Sequence, residues 1–328
     1  METLALYSVA VVIGLVLLAW SSDRFVDGAS GIAKSLGISP LIIGLTIVAF
    51  STSAPEMLVS GLAAFQGNNG LAIGNVVGSN IANMTLVLGV TVLLAPLLVG
   101  PQTLNKDTPL LIIGMLFALG ILLWDDVLSR LDGILLMAAM IFVIWLTIVS
   151  ARKESAAKTN ASNETTTKTE KVSKQIIWML VSGVIILLIS AKLLVWGAVG
   201  VAQIFGVSDL VIGLTIVAIG TSLPELAASV SAVKKGEHDM AVGNVIGSSL
   251  FNILAVLGIA GIVGPNTFSN EVIVRDYPIM LGLVVLFYLV TRFVPKGESF
   301  VIHRWVGAVL LISFFVYQGF ILFGGSPS

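Results

Sequence analysis

Three observations on this sequence predict an all-α integral membrane protein whose ten transmembrane helices form two inverted five-helix repeats. The chain of 328 residues is 57% apolar and only 11% charged, with a mean hydropathy of +1.05. Soluble domains carry roughly 25% charged residues, so the bulk of this chain belongs in a bilayer. Ten apolar runs follow one another along the sequence, each close to the roughly 20 residues that a bilayer core requires. The two halves carry the same motifs in the same order, and five spans per half is an odd number, so the second half enters the membrane in the opposite sense.

The first set of apolar runs falls near 4–21, 41–65, 71–97, 109–124 and 133–150, and the second near 176–197, 209–233, 240–264, 278–294 and 305–324. Residues 1–150 thus read as the first five-span repeat and 175–328 as the second. Residues 151–174, rich in Lys, Glu, Thr, Ser and Asn, read as a flexible polar linker. Asn160-Ala161-Ser162 and Asn163-Glu164-Thr165 match the glycosylation pattern there, read as accidents of composition. The first run has no basic residue ahead of it and no small-residue cleavage site before Asp23 and Arg24, so it reads as a retained span and not as a signal peptide.

The duplication is explicit. Gly44 to Glu56 reads GLTIVAFSTSAPE and Gly74 to Asn83 reads GNVVGSNIAN, while Gly213 to Glu225 reads GLTIVAIGTSLPE and Gly243 to Asn252 reads GNVIGSSLFN. Both segments recur at an offset of 169 positions, and fourteen of twenty residues are identical between Gly37–Glu56 and Gly206–Glu225. Such self-similarity has to be read before anything else.

Each copy places a helix breaker and a carboxylate inside apolar sequence. Pro55 and Pro224 have no N–H and clash with the carbonyls of Ser51 and Gly220, so the helix must kink or unwind at Thr52, Ser53 and Glu56, and at Thr221, Ser222 and Glu225. Unsatisfied backbone survives in a bilayer only where it is buried in protein or lines a cavity. Freed carbonyls, hydroxyls and a carboxylate make an all-oxygen donor set, which suits hard cations such as Ca2+ and Na+. An ionised side chain at mid-membrane costs at least about 2.5–3.5 kcal/mol, which marks it as functional. A plain structural kink is the weaker reading, because the Pro–Glu pair occurs twice at equivalent positions. In the second motif Asn75, Ser79 and Asn83, and likewise Asn244, Ser248 and Asn252, form one polar stripe each at four-residue spacing. Gly74 with Gly78 and Gly243 with Gly247 make small-xxx-small faces that admit another helix closely.

On these paired GTSLPE-like and GNVIGSN-like segments the chain resembles the sodium/calcium exchangers of the cation/calcium antiporter superfamily. The resemblance implies a secondary antiporter exchanging Na+ for Ca2+ by alternating access, with no cofactor. It implies Ca2+ ligands at Glu56, Glu225, Thr52 and Thr221. Na+ sites would add Ser53, Ser222, Ser79, Ser248 and the carbonyls of Ala49 and Ala218, with Asn83 and Asn252 lining the centre. The first and sixth spans resemble a pair that slides across a rigid eight-helix core. Gly74–Ser79 follows the sodium-type GNxxGS pattern and not the acid-containing GNAxE of proton-coupled members, and Asn252 stands where potassium-dependent members tend to have Asp. Both features favour sodium coupling without K+, with an H+/Ca2+ antiporter of the same fold as the alternative; a load of three Na+, which the resemblance implies, would make the exchange electrogenic. Phe50-Ser51 and Ala54 stand where the second copy has Ile219-Gly220 and Leu223, so the two half-sites differ.

Loop charges set the orientation. With the N-terminus outside, the odd-numbered loops hold fourteen of the Lys and Arg residues and the even-numbered loops only Arg130, Lys192 and Arg275. By the positive-inside rule both termini lie outside the cell inner (plasma) membrane and the linker is cytoplasmic. Trp20, Trp124, Trp178, Trp196 and Trp305 fall near span ends as an aromatic belt, while Trp145 reads as packing. Asp125, Asp126 and Asp132 read as a solvated acidic loop, and Lys234, Lys235, Glu237 and Asp239 as an ordinary cytoplasmic turn. The net charge of −1 gives no nucleic-acid signal, and the absence of cysteine excludes disulfides and thiol chemistry. An intramembrane protease would need paired Asp, a zinc motif or a Ser–His pair within the spans, so the chain reads as no enzyme. A cation channel would share the broken helices and acidic residues, but inverted repeats around a central site suit a carrier better. The expected partners are the lipid bilayer and the transported ions, with the oligomeric state open and a monomer allowed.

Overall fold

The computed structural model describes residues 2–67, 69–124, 127–161, 172–206, 218–267, 272–292 and 299–324. The chain begins with one long helix, α1 (Glu2–Leu36), followed by a broken span made of α2 (Pro40–Thr52) and α3 (Ala54–Phe65), bent by 45°. Then come α4 (Leu71–Leu94), α5 (Thr103–Leu122) and α6 (Arg130–Ala161). The second half supplies α7 (Lys174–Ile204), the short α8 (Ala218–Thr221), α9 (Leu223–Lys234), α10 (His238–Val263), α11 (Val272–Val290) and α12 (Arg304–Gly324). Eight of the helices among the described residues are long and apolar enough to cross a bilayer, and the bent pair adds a ninth span. The tenth expected span, near 209–233, has its first part at 207–217 outside the described residues and its remainder in α8 and α9.

Four short strands tie the loops together: β1 (Leu97–Val99), β2 (Val127–Leu128), β3 (Asn266–Thr267) and β4 (Phe300–Ile302). β1 pairs with β4 and β2 with β3, both antiparallel, so each ribbon takes one strand from each half. β1 and β3 follow equivalent spans, as β2 and β4 precede equivalent spans. An operation that exchanges the halves must therefore exchange the two ribbons, which is the signature of an inverted pair.

The duplication is repeated in backbone geometry. The positive-φ residues among those described are Gly37, Gly67, Gly206 and Gly236, two pairs each 169 apart, all just beyond helix C-termini where a left-handed residue is needed. π-helical turns recur at the same offset, Thr103–Asp107 with Val272–Asp276, and Asn83–Val87 with the turn at Phe251–Val256 that holds Asn252. Such turns widen the helix by one residue and often mark functional sites.

Some sequence expectations need correction. α1 does not stop near residue 21: its 35 residues span about 52 Å at 1.5 Å per residue, well beyond a bilayer core. Arg24, expected in a loop, is helical, donates to Ser182 Oγ at 3.0 Å and lies over the Trp20 ring. Lys192 lies within α7 rather than in a loop. α6 continues to Ala161, into the stretch read as linker, and residues 162–171 lie outside those described. Asp132 caps α6, accepting from the Ser129 N–H and hydroxyl at 2.8 and 2.6 Å, while Ser129 Oγ accepts from the Asp132 N–H, a reciprocal capping box. Asp125 and Asp126 lie outside the described residues. Trp145 is not packed in the core but stacks on Phe142 on the outer face of α6.

α1 and α7 pack against each other along their length through a two-fold glycine seam, Gly14 and Gly28 on one helix and their equivalents Gly183 and Gly197 on the other. A Cβ at Gly28 would lie 2.4 Å from the Leu180 backbone, and one at Gly183 2.6 Å from the Phe25 backbone. At the β1–β4 end α1 is also clasped by the turn after α9. Lys235 pairs with Asp27 and donates to the Asp23 carbonyl, Ser231 donates to the Asp23 carboxylate, and Glu237 accepts from Ser30 at 3.1 Å with Lys34 3.9 Å away. The turn is thus a polar clasp on α1, which the charges alone did not disclose. Partly exposed ion pairs are worth about 0–1 kcal/mol each. Lys235→Gln is accordingly expected to leave the fold intact but to speed amide exchange over residues 23–36; exchange unchanged there by mass spectrometry would deny the clasp any holding role.

Candidate functional site

The two helix breaks meet. At the first, Ser53 leaves helical geometry with φ −80° and ψ 5°, and at the second Ser222 does the same with φ −88° and ψ 4°. Each break is followed at once by Pro and Glu in the first turn of the next helix, where Pro loses nothing because its N–H would have no partner. Glu56 and Glu225 are both 0% exposed, and Ser53, three residues before Glu56, donates to Glu225 Oε1 at 3.2 Å, so the two repeats bring their carboxylates to one site.

Glycine makes this approach possible. A Cβ at Gly44 on α2 would lie 2.5 Å from the Met240 carbonyl oxygen on α10, and a Cβ at Gly243 on α10 would lie 2.5 Å from the Leu41 carbonyl oxygen. Gly247 meets Leu45 and Ala49 in the same way. The expected small-residue face of the second copy is therefore a helix contact, whereas a Cβ added at Gly74 or Gly78 would meet nothing within 4 Å among the described residues. The departure at Ser51 and Gly220 also has a packing side: a Cβ at Gly220 would lie 2.3 Å from Val195 Cγ2 on α7, so a larger residue there requires the Val195 side chain to move.

Around the carboxylates the hydrogen bonds cross between the halves. Thr52 donates to Asn244 Oδ1 at 3.2 Å and lies 3.3 Å from Ser248 Oγ, and Ser53 donates to Glu225 Oε1 at 3.2 Å. The Thr221 hydroxyl lies by Glu56 and the Thr52 hydroxyl by Glu225. The Ala49 carbonyl accepts from the Ser53 N–H at 3.0 Å and, at 3.3 Å, is a second acceptor within reach of the one Thr52 hydroxyl proton. Ala218 is placed as the first residue of α8, and Ser79 is buried on α4. Asn83 and Asn252, on their π-helical turns, are buried with neither amide atom hydrogen-bonded among the described residues. The same holds for both carboxylate oxygens of Glu56, for Glu225 Oε2 and for Ser222 Oγ. Buried polar atoms are normally satisfied, so this concentration marks the place where other partners are taken.

The two half-sites are not equivalent. Glu225 is held by Ser53, whereas the equivalent hydroxyl, Ser222, makes no bond to Glu56. Sequence reasoning included Asn75 and Asn244 in the polar stripes but assigned them no role, and it missed Ser60 and Ser229. Asn75 Nδ2 donates to the Glu56 carbonyl and to Ser60 Oγ at 3.4 and 2.9 Å. Asn244 Nδ2 donates to the Glu225 carbonyl and to Ser229 Oγ at 3.1 and 2.8 Å. The available signal was a serine four residues after each glutamate, at the repeat offset. No buried Lys, Arg or His appears among the described residues, so no cationic side chain inside the bundle offsets the two carboxylates. The described residues contain no group of three or more His, Cys, Asp and Glu arranged to hold a metal, so cation binding here rests on two carboxylates with neutral oxygens.

Comparison with known proteins agrees with this geometry. CaxA of Alkalimonas amylolytica is 45% identical over 95% of this chain and 97% of its own length. The sodium/calcium exchanger MaX1 of Methanosarcina acetivorans is 33% identical over 94% of this chain and 96% of its own. A solved structure of the sodium-calcium exchanger NCX_Mj superposes with a TM-score of 0.81 at 31% identity, covering 96% of this chain and 99% of that one. The family model described as "Sodium/calcium exchanger protein" matches residues 6–149 and 175–323, nearly the whole of both repeats. With both repeats matched and the two glutamate-bearing breaks facing each other between them, the chain belongs to the sodium/calcium exchanger family.

Proposed function

We propose that this protein is a secondary active antiporter that exchanges Na+ for Ca2+ by alternating access, electrogenically and without K+. One observation carries the reading: Glu56 and Glu225, one from each repeat, are buried together among hydroxyl and amide oxygens, with no buried cationic side chain among the described residues. Two ionised carboxylates give a formal charge of −2, which one Ca2+ neutralises. In this reading Ca2+ is bound by Glu56, Glu225, Thr52 and Thr221. Na+ uses Ser53, Ser222, Ser79, Ser248 and the carbonyls of Ala49 and Ala218, with Asn83 and Asn252 lining the centre. Competition for shared ligands is what couples the two fluxes, since the carrier turns over only when one load or the other neutralises the site. MaX1 and NCX_Mj, both described as sodium and calcium exchangers, support the choice of ions.

The protein is placed in the plasma membrane with both termini outside. Support comes from the loop charges and from the ribbons, which pair loops expected on the same side of the membrane. With Asn83 and Asn252 neutral, the load of three Na+ that the resemblance to the exchangers implies leaves the site at +1, and moving that charge through the field is worth about 2.3 kcal/mol per 100 mV. The test is Ca2+ uptake into Na+-loaded proteoliposomes with the potential clamped by an ionophore. An outward Na+ gradient is expected to drive uptake, inside-positive potential to speed it, and K+ to leave it unchanged. Uptake driven by a proton gradient alone would make this an H+/Ca2+ antiporter, uptake indifferent to potential would refute the charge count, and single-channel currents would refute the carrier.

A further inference from the structure

We propose that Asn244 is a positioning residue that aims two ligand hydroxyls, one from each repeat, so that their lone pairs face the ion. This rests on the reading of the Glu56–Glu225 site as the ion site. Every hydrogen-bonding capacity of the Asn244 amide is used: two N–H bonds and two acceptor positions. Its Nδ2 faces the Glu225 carbonyl oxygen at 3.1 Å and Ser229 Oγ at 2.8 Å. A carbonyl can only accept, so that end of the amide must be nitrogen, and Oδ1 must be the end that faces Thr52 and Ser248. Thr52 Oγ1 lies 3.2 Å from Oδ1 and Ser248 Oγ 3.5 Å from it.

Oδ1 cannot donate, so in its contacts with Thr52 and Ser248 the proton lies on the hydroxyl; the competing acceptors for the Thr52 proton, the Ala49 carbonyl and Ser248 Oγ, are each 3.3 Å away against 3.2 Å to Oδ1. A hydroxyl binds a cation only through its lone pairs, with the proton pointing away, so the acceptor prepares both oxygens for the ion. Without it, the Thr52 proton is left to the Ala49 carbonyl, itself read as an ion ligand, or to the neighbouring Glu225 carboxylate, which already takes the Ser53 proton. There it would occupy a lone pair that the ion needs and present positive hydrogen to it. The same amide also anchors the carbonyl of Glu225 itself, so one side chain registers the carboxylate of one half against the hydroxyl of the other. Asn75 makes the two equivalent donor bonds to the Glu56 carbonyl and Ser60.

The experiment measures half-saturating Ca2+ and maximal uptake in proteoliposomes, with the amount of folded protein from size exclusion. Asn244→Leu keeps the shape and removes the amide. It is expected to raise half-saturating Ca2+ by about tenfold or more while maximal uptake per folded protein stays within about threefold, the scale of a lost hydrogen bond to a charged centre. Thr52→Val is expected to raise half-saturation by about tenfold, and Thr52→Val with Asn244→Leu should be no worse than Asn244→Leu alone. Ser229→Ala loosens the amide but leaves Oδ1 in place, so it should lower thermal stability with half-saturation unchanged, and it serves where Asn244→Leu does not fold. Effects of Thr52→Val and Asn244→Leu that multiply, unchanged half-saturation in Asn244→Leu, or a shift in Ser229→Ala as large as in Asn244→Leu would each overturn the proposal. Uptake abolished in Glu225→Gln beside unchanged half-saturation in Asn244→Leu would defeat this inference alone; normal uptake in Glu225→Gln would defeat the ion-site reading beneath it.

Discussion

Glu56→Gln and Glu225→Gln are each expected to abolish Ca2+ uptake in a protein that still folds. The substitution keeps size and shape and removes one negative charge from a site that must neutralise two positive ones. At about 4 Å and an effective dielectric constant near 20, each pair of unit charges is worth about 4 kcal/mol, so losing one carboxylate opposite a divalent ion costs at least roughly a thousandfold in Ca2+ binding. Folding should survive, because the groups that meet these carboxylates are hydroxyls, Thr221 beside Glu56 and Ser53 and Thr52 beside Glu225, and a glutamine oxygen can accept from them equally. The check is radioactive Ca2+ uptake beside a size-exclusion profile. Near-normal flux in either variant, with the protein monodisperse, removes that glutamate from the site.

Gly243→Ala is expected to be as damaging, by a route that leaves the charges untouched. The added Cβ would stand 2.5 Å from the Leu41 carbonyl oxygen, and backbone cannot swing aside as a side chain can. Overpacking of this kind costs about 1–3 kcal/mol or more. Any shift of α2 that relieves it carries Thr52 away from Asn244 and Ser248. Uptake should fall at least about tenfold and the thermal midpoint should drop. Gly282→Ala, with nothing within 4 Å of its Cβ, is the matched control and should behave as wild type. Equal behaviour of the two variants would mean that the Gly44–Gly243 contact does not set the site.

Much of this architecture was legible because the chain states it twice. The repeat offset located the breaks, and the Pro–Glu pairs placed Glu56 and Glu225 together without knowledge of the loops. What stayed hidden is what a periodic hydrophobic pattern cannot encode. The C-terminal part of α1 carries Asp23, Arg24 and Asp27, which read as the end of a span; their partners, Ser182 and Lys235, lie more than 150 residues away and are visible only in the fold. The π-helical turns have no sequence signature of their own, and the ribbons are too short for an alternating pattern. The roles of Ser60 and Ser229 were missed because a lone serine in a helix normally bonds its own backbone, whereas here each receives an asparagine from the neighbouring helix.

The ribbons have a consequence for how the protein is made. Leu97 waits for Ile302 and Leu128 for Asn266, so the earlier strand of each ribbon has no partner until the second half has been synthesised. The 205 positions between Leu97 and Ile302 correspond to about 10–40 s of translation at 5–20 residues per second. For most of that time, until the chain has passed Asn252, Glu56 lacks the half that encloses it. The costliest moment of this carboxylate therefore falls during biogenesis, before any ion has been moved.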